Sequence, residues 1–454
     1  MKELKKMKIL YVNPHEYNYA GYHQIQTYPT DLYNSATLSK RDGHDVDIVD
    51  LHPEGQVHEV AGVLQLNGMD VVRDTKRERR CGNYDNEKYF KGILRCGLSI
   101  KILEDKLNKN EYDRIVVGVL ANKTAVTTTS WSYVYTAVSE IIDICKDKQP
   151  NSNVVLIGEF AKICSDVAKG TGADEVSDKP SSGRNFVDTD LSLFEDEYFP
   201  RRVNIATSYG CHNSCAFCFV PKVEGLERSE KPVEDVLRYI EYCVNEGVTK
   251  FRFIDSNLLC NWDKHLKLIL EGIIAKGWNL DLTSYGGVEP AMLTQDIATT
   301  MVNAGFKTIN VPLDSSDPTV LMKFGGTKTV ENWEKAADIA VATFSSVSTY
   351  IMIGLPGQKY EDVIASINKC KEKGTEPTFL PFTPIPGTYL EDKDKHPGDI
   401  HPLLFPYASP DLTVKQIETL LEQHTKWYKK TAICMDTAIP RIRVYRSSPP
   451  ITII

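Results

Sequence analysis

Three cysteines in one short window, Cys211, Cys215 and Cys218, constrain this chain more than any other feature. They lie in the run Ser208-Tyr209-Gly210-Cys211-His212-Asn213-Ser214-Cys215-Ala216-Phe217-Cys218, a C-x3-C-x2-C spacing with an aromatic residue before the last cysteine. Three thiolates on one tight loop can hold three irons of a four-iron, four-sulfur cube. The fourth iron then has no protein ligand, and an open metal position marks a catalytic rather than a structural site. The loop follows an apolar, strand-like run at residues 203–206, so the chain must deliver it from the end of a strand. The bland alternatives are a chance cluster or a zinc knuckle in which His212 supplies a fourth ligand.

A chain of 454 residues has room for two or three domains. Hydrophobic residues at 42% and charged residues at 25% are an ordinary globular balance. The net charge of −8 argues against broad nucleic-acid binding, so no nucleic-acid partner is expected. The basic runs at 76–80 and 441–446 read as solvated faces. The N-terminal apolar run is too short for a signal peptide. No stretch approaches the roughly 18 apolar residues of a membrane span. Eleven cysteines in such a chain read as reduced thiols rather than a disulfide framework. A cytoplasmic protein from an oxygen-poor setting is the expectation.

The first 185 residues alternate strand and helix patterns. Residues 8–13 (KILYVN), 45–50 (DVDIVD), 114–120 (RIVVGVL) and 154–157 (VVLI) read as strands, and 31–41 and 133–146 as helices. That alternation predicts a parallel, doubly wound sheet. Ligands on such sheets bind at the carboxyl ends of the strands, which here are the loops at 13–21, 120–124 and 158–160. Residues 51–112 read as an insertion with few strand signals, carrying an amphipathic helix at 93–107.

The segments ILYVNP, YPTDLYNSATLSKRDGHDVDIVDL, DRIVVGVL and VVLIGE together resemble the cobalamin-binding domain placed before many radical S-adenosylmethionine (SAM) enzymes. The resemblance implies a corrin against Asn13 and His15, against Leu120, Ala121 and Asn122, and against Gly158 and Glu159. It departs from the pattern with a lower axial histidine, Asp-x-His-x-x-Gly, because Asn13-Pro14-His15 is followed only at Gly21 by a glycine. His15 is left open as an axial ligand or as a loop histidine beside a pocket.

From the strand before Cys211 onward the chain makes six further β/α units. The later strands are at 250–255, 280–285, 308–313, 348–353 and 377–382, with helices at 232–246, 264–276, 292–304, 330–343 and 359–373. With the cysteine triad, this text resembles the radical SAM superfamily. The resemblance implies a partial (β/α)6 barrel over residues 186–390, with chemistry at the carboxyl ends of its strands. It implies a [4Fe-4S] cluster on Cys211, Cys215 and Cys218, and SAM bound by chelation to the open iron. Phe217 would lie beside the adenine, and Asp255, Ser256 and Asn257 near the methionine amine. Gly286 and Gly287 end the third strand, Asp314 and Ser315 would face the ribose, and Gly354, Leu355 and Pro356 would line the adenine. YIMIGLPGQ followed by FTPIPGTYL resembles a cobalamin-type branch of these enzymes.

The leading expectation is therefore a cobalamin-dependent radical SAM methyltransferase. In that resemblance one SAM methylates cobalamin and another yields a 5′-deoxyadenosyl radical that opens an unactivated carbon for methylation. A radical SAM enzyme performing a rearrangement or oxidation, with or without cobalamin, is the second reading. A non-catalytic cluster carrier is the third. The substrate class, a small molecule or a peptide or protein, is open, and an external electron donor is required. Residues 391–454 read as a cap with a helix at 414–430, where Tyr389 (just before it), His396 and His401 are polar groups available to substrate.

Overall fold

The computed structural model describes residues 5–19, 29–51, 93–96, 98–118, 131–177, 186–196, 199–200, 202–284, 286–382, 384–391, 411–413, 415–416 and 419–420. In the N-terminal part, β1 (Lys8–Asn13), α1 (Thr30–Arg41), β2 (Asp45–Asp50), α2 (Lys101–Lys109), β3 (Arg114–Gly118), α3 (Trp131–Lys148), β4 (Asn153–Ile157), α4 (Glu159–Ile163) and β5 (Glu175–Val176) follow in order. The sheet runs β2-β1-β3-β4-β5, and every pair in it is parallel. Continuous apolar strands such as β1 are what a sheet covered on both faces requires. The strand order reverses between β1 and β3, and at such a switch point the loops diverge and leave a crevice.

The reading of 93–107 as one helix is corrected. Ile93–Cys96 is a strand, antiparallel to Glu16–Tyr19, and the helix begins only at Lys101. The apolar residues at 93 and 94 suit either period, and pairing with a partner distant in sequence decides for the strand.

The second part carries β6 (Val203–Ile205), α5 (Val233–Asn245), β7 (Lys250–Phe253), α6 (Leu266–Ala275), β8 (Asp281–Ser284), α7 (Gln295–Ala304), β9 (Thr308–Asn310), α8 (Pro318–Phe324), α9 (Val330–Thr343), β10 (Ser346–Ile353), α10 (Tyr360–Lys373) and β11 (Glu376–Pro381). Strands β6, β7 and β8 form one parallel sheet and β9, β10 and β11 another. A parallel bridge from Leu282 to Phe306 joins them. The result is a parallel wall wound in chain order, and every strand points its carboxyl end at the same mouth. Helix α7 starts at Gln295 rather than 292 because Thr294 accepts the amide of Ile297 as its cap. It stops at Gly305, whose φ of 119° and close approach to the Leu280 carbonyl suit glycine alone. Behind the strands lies one apolar core that includes Phe251, Phe253, Phe306 and the fully buried Trp333.

The two parts are sewn together. Tyr33 stacks on Phe194 at 4.1 Å between centroids. The amide of Asn204 on β6 donates to the Thr30 hydroxyl at 2.8 Å, and Lys40 pairs with Asp190 at 2.8 Å. Phe219, next to Cys218, and Ile385 belong to the apolar core of the N-terminal sheet. The Lys162 ammonium donates to the Val223 carbonyl. Lys222 answers by donating to the Ile163 carbonyl at 3.2 Å. No described helix is long and apolar enough to cross a membrane.

Candidate active site

The cysteine loop leaves the mouth of β6 through a turn that only glycine permits. Gly210 has φ 87°, and a Cβ there would lie 2.1 Å from the Glu227 carbonyl oxygen. The Gly210 amide donates to the Glu224 carboxylate at 2.8 Å, and Ser256, at the end of β7, donates to the same oxygen at 2.9 Å. Glu224 thus ties the start of the loop to the next strand end.

A second loop closes over the cysteines. After α8, residues 325–328 (Gly-Gly-Thr-Lys) run against the cluster loop: the Ala216 amide donates to the Phe324 carbonyl at 3.1 Å. Gly326 has φ 68°, and its Cβ position lies 3.0 Å from the Cys215 sulfur. Glu289 staples the two loops, accepting from Asn213 at 2.6 Å and from Thr327 at 3.2 Å. Lys328 reaches in to place its ammonium 2.7 Å from Asp314, 3.8 Å from the Cys215 sulfur and 6.0 Å from the centre of the Phe217 ring. Burial opposes that charge, but Asp314 first, then Cys215 and Glu289, outweigh it and hold the ammonium well above its ordinary range.

The three thiols are half-buried. Burial raises the pKa of Cys211 and Cys215 and pushes Cys218 up to about 12. Binding a metal therefore means displacing protons. Donors are already in place for the sulfurs: Asn257 donates to Cys211 at 3.9 Å, and Lys328 reaches Cys215. Among the described residues no three His, Cys, Asp or Glu side chains converge on one point, as a single metal ion would require. A cube has no such requirement, because each thiolate binds a different iron. His212, the fourth ligand a zinc knuckle would use, is exposed and has its Nδ1 3.6 Å from the Cys260 sulfur. The donor set fits a [4Fe-4S] cluster better than zinc.

The other strand ends gather at this mouth with varied engagements. Asp255 is buried, and its carboxylate accepts from the Thr207 amide at 3.2 Å, the Thr207 hydroxyl at 2.8 Å and the Ser208 hydroxyl. It braces the strand that delivers the cysteines. Gly286 backs onto the Asp255 carbonyl, and Gly287 packs against Pro312, where a Cβ would meet the ring at 2.7 Å. Asp314 holds φ 62° and takes Lys328. Ser315 accepts the Asp317 amide at 3.1 Å. The amides of Gly354 and Leu355 both donate to the Gln358 side chain, at 2.8 and 3.3 Å. Phe217 packs against an apolar cluster that includes Met352, Leu355 and Phe382. Tyr389 is 89% exposed; His396 and His401, like most of 414–430, lie outside the described residues.

At the N-terminal sheet, Asn13 donates to Asp50 at 2.7 Å. His15 is 2% exposed, with Nε2 3.2 Å from the Glu140 carboxylate of α3. Gly158 turns with φ 106° into α4, and Glu159 is buried there. Leu120, Ala121 and Asn122 lie outside the described residues.

Sequence reading missed Lys328, Glu224 and Gln358. Two adjacent glycines followed by Thr-Lys, just past a capped helix, were the available signal for the first. The other two act by folding the chain back on itself, which spacing does not display.

Residues 205–388 match the profile of the Radical SAM superfamily. The chain is 23% identical over 251 residues to a tRNA-2-methylthio-N(6)-dimethylallyladenosine synthase of Sulfurihydrogenibium sp., covering 52% of this chain and only 55% of that protein. It is 23% identical over 373 residues to the Bifidobacterium longum protein of the same name, covering 75% of each. Its fold resembles that of the radical SAM methyltransferase TsrM from Kitasatospora setae, solved with cobalamin and a [4Fe-4S] cluster, with TM-score 0.61 and 16% identity over 85% of this chain and 77% of that one. The chain therefore carries a radical SAM domain, set within an α/β fold like that of TsrM.

Proposed function

We propose that this protein is a cobalamin-dependent radical SAM methyltransferase that places a methyl group on an unactivated carbon. The observation that carries the reading is the extent of the fold likeness: it takes in both the N-terminal sheet and the barrel, and not the barrel alone. Cys211, Cys215 and Cys218 would hold the cluster, with Asn257 and Lys328 donating to two of the sulfurs. When bound, the cluster supplies the electron that cleaves the carbon–sulfur bond of SAM, and cobalamin supplies the methyl group. The chain's own part is to orient and to exclude water. Phe217 and Leu355 offer an apolar wall for adenine. Ser256 and Asn257 stand beside the cysteines for the methionine end, and Asp314 and Ser315 at the end of the fourth strand for the ribose. The corrin would lie at the switch point between β1 and β3, over Asn13 and beside Gly158 and Glu159. His15 faces Glu140, and its role there would be to hold α3 beside that site. The substrate would be a small molecule or a peptide or protein, and an external donor would reduce the cluster.

The sequence relatives support a second reading, methylthio transfer to tRNA, against the expectation from net charge. One experiment separates the two. Protein purified without oxygen from cells given cobalamin has its iron and cobalt counted. It is then incubated with methyl-labelled SAM against bulk tRNA and against a small-molecule and peptide extract. Cobalt near one per chain with label in carbon-bound methyl groups outside tRNA is expected. Four irons, no cobalt and label in tRNA as a methylthio group would replace the first reading with the second.

A further inference from the structure

Lys328 is the one residue of the Gly-Gly-Thr-Lys loop whose charge is aimed at a cluster cysteine. Its side chain is 11% exposed, and its partner Asp314 is 6% exposed. A long aliphatic stem and an ammonium are costly to bury, and Lys is almost never fully buried unless paired. The chain bears that cost at one sulfur. The loop is fitted to hold it there. Gly326 passes so near the same sulfur that a Cβ there would lie 3.0 Å from it, and Thr327 is anchored on Glu289 at 3.2 Å.

We propose that Lys328 is a positioning residue that tunes the cluster's readiness to accept an electron. This rests on the assignment of the cluster to Cys211, Cys215 and Cys218, and the effect is electrostatic. Reduction adds one negative charge to the cluster. A fixed cation and an N–H donor 3.8 Å from one of its sulfurs stabilise the reduced state more than the oxidised one. Asp314 holds the ammonium in place and opposes part of its field, so the pair sets the potential by difference. The electron itself comes from the external donor, and Lys328 gains or loses nothing.

The test is a potentiometric titration of the reconstituted protein, followed by electron paramagnetic resonance, with iron counted in every sample. Lys328→Met should keep four irons per chain. Its reduced-to-oxidised ratio at a fixed potential should fall about tenfold, equivalent to about 59 mV for one electron. Lys328→Arg should return the ratio to within about twofold of the parent. Asp314→Asn should move it the other way. Lys328→Gln, which keeps an N–H donor without the charge, decides the matter if the Met variant fails to assemble a cluster. An unchanged ratio in the fully loaded Met or Gln variant overturns the proposal. So does loss of iron from the Met, Gln and Arg variants alike, which assigns the lysine to the fold alone. If the parent itself binds no iron, it is the cluster assignment that falls.

Discussion

The N-terminal sheet and the barrel wall end in different ways. At the barrel mouth, charged and polar side chains from separate parts of the chain close on one short loop: Glu224, Asn257, Glu289 and Lys328 each hold the cysteine loop or its sulfurs. At the N-terminal sheet, the described strand-end groups mostly hold the sheet's own neighbours, Asn13 on Asp50 and His15 on Glu140. One site is built by convergence and the other by topology. A site of the first kind is sensitive to single side chains, and one of the second kind to the integrity of the sheet beneath it.

The harshest way to break the contrast is at the cysteines. Cys211→Ala, Cys215→Ala and Cys218→Ala should each cut bound iron at least tenfold and abolish SAM cleavage, while thermal unfolding of the N-terminal sheet stays cooperative. Iron assays with circular dichroism check both halves, and a fully loaded, active variant would remove the triad from the site. Phe160→Ala comes next. Phe160 is fully buried on α4, and truncation should cost about 3–5 kcal/mol. Because Phe219 lies in the same core, iron content should fall along with cobalt binding; iron at the parent level would show the sheets to be independent.

Gly210→Ala sharpens the comparison without touching a ligand. The clash with the Glu227 carbonyl and the positive φ should cost about 1–3 kcal/mol. Cluster content, measured at intermediate temperature, should drop before global unfolding does. The smallest effect concerns the seam. Asp190 is opposed by burial, yet Lys40 and Ser192 bring its pKa below the usual carboxylate value. Its contribution is therefore present above the ordinary carboxylate pKa of about 4 and is lost as pH falls through the lowered one. Partial exposure of the pair limits it to about 0–1 kcal/mol. Asp190→Asn should lower stability by about 0–1 kcal/mol near neutrality, with variant and parent converging as pH falls through the lowered pKa, so that the acid limb flattens slightly.

The difference between the regions also explains what could be read before the structure. Local signals were enough where chemistry is local. The spacing of Cys211, Cys215 and Cys218 and the alternation of apolar strands with helices ending at Gly305 and Gly374 both lie within a few residues, and the barrel followed from them. Ile93–Cys96 was mistaken for helix because its partner is Glu16–Tyr19, far away in sequence, and four residues carry too little periodicity to choose. Lys328 was invisible for the same reason. It lies 113 residues from Cys215, and only the folded barrel brings them together. Asp255 was legible as a strand-end acid, but not as the brace of Thr207 and Ser208.

The paired lysines at the seam carry one more consequence. Lys162 grips the turn after Cys218, and Lys222 on that turn grips back at Ile163. Phe219 is meanwhile packed among residues of the N-terminal sheet. A barrel excised without that sheet would show the Phe219 ring, the bare Val223 carbonyl and a Lys222 ammonium deprived of Ile163 directly behind its cysteines. The N-terminal domain is thus also the back wall of the cysteine loop, and a shift of α4 would be felt at Phe219 and Val223.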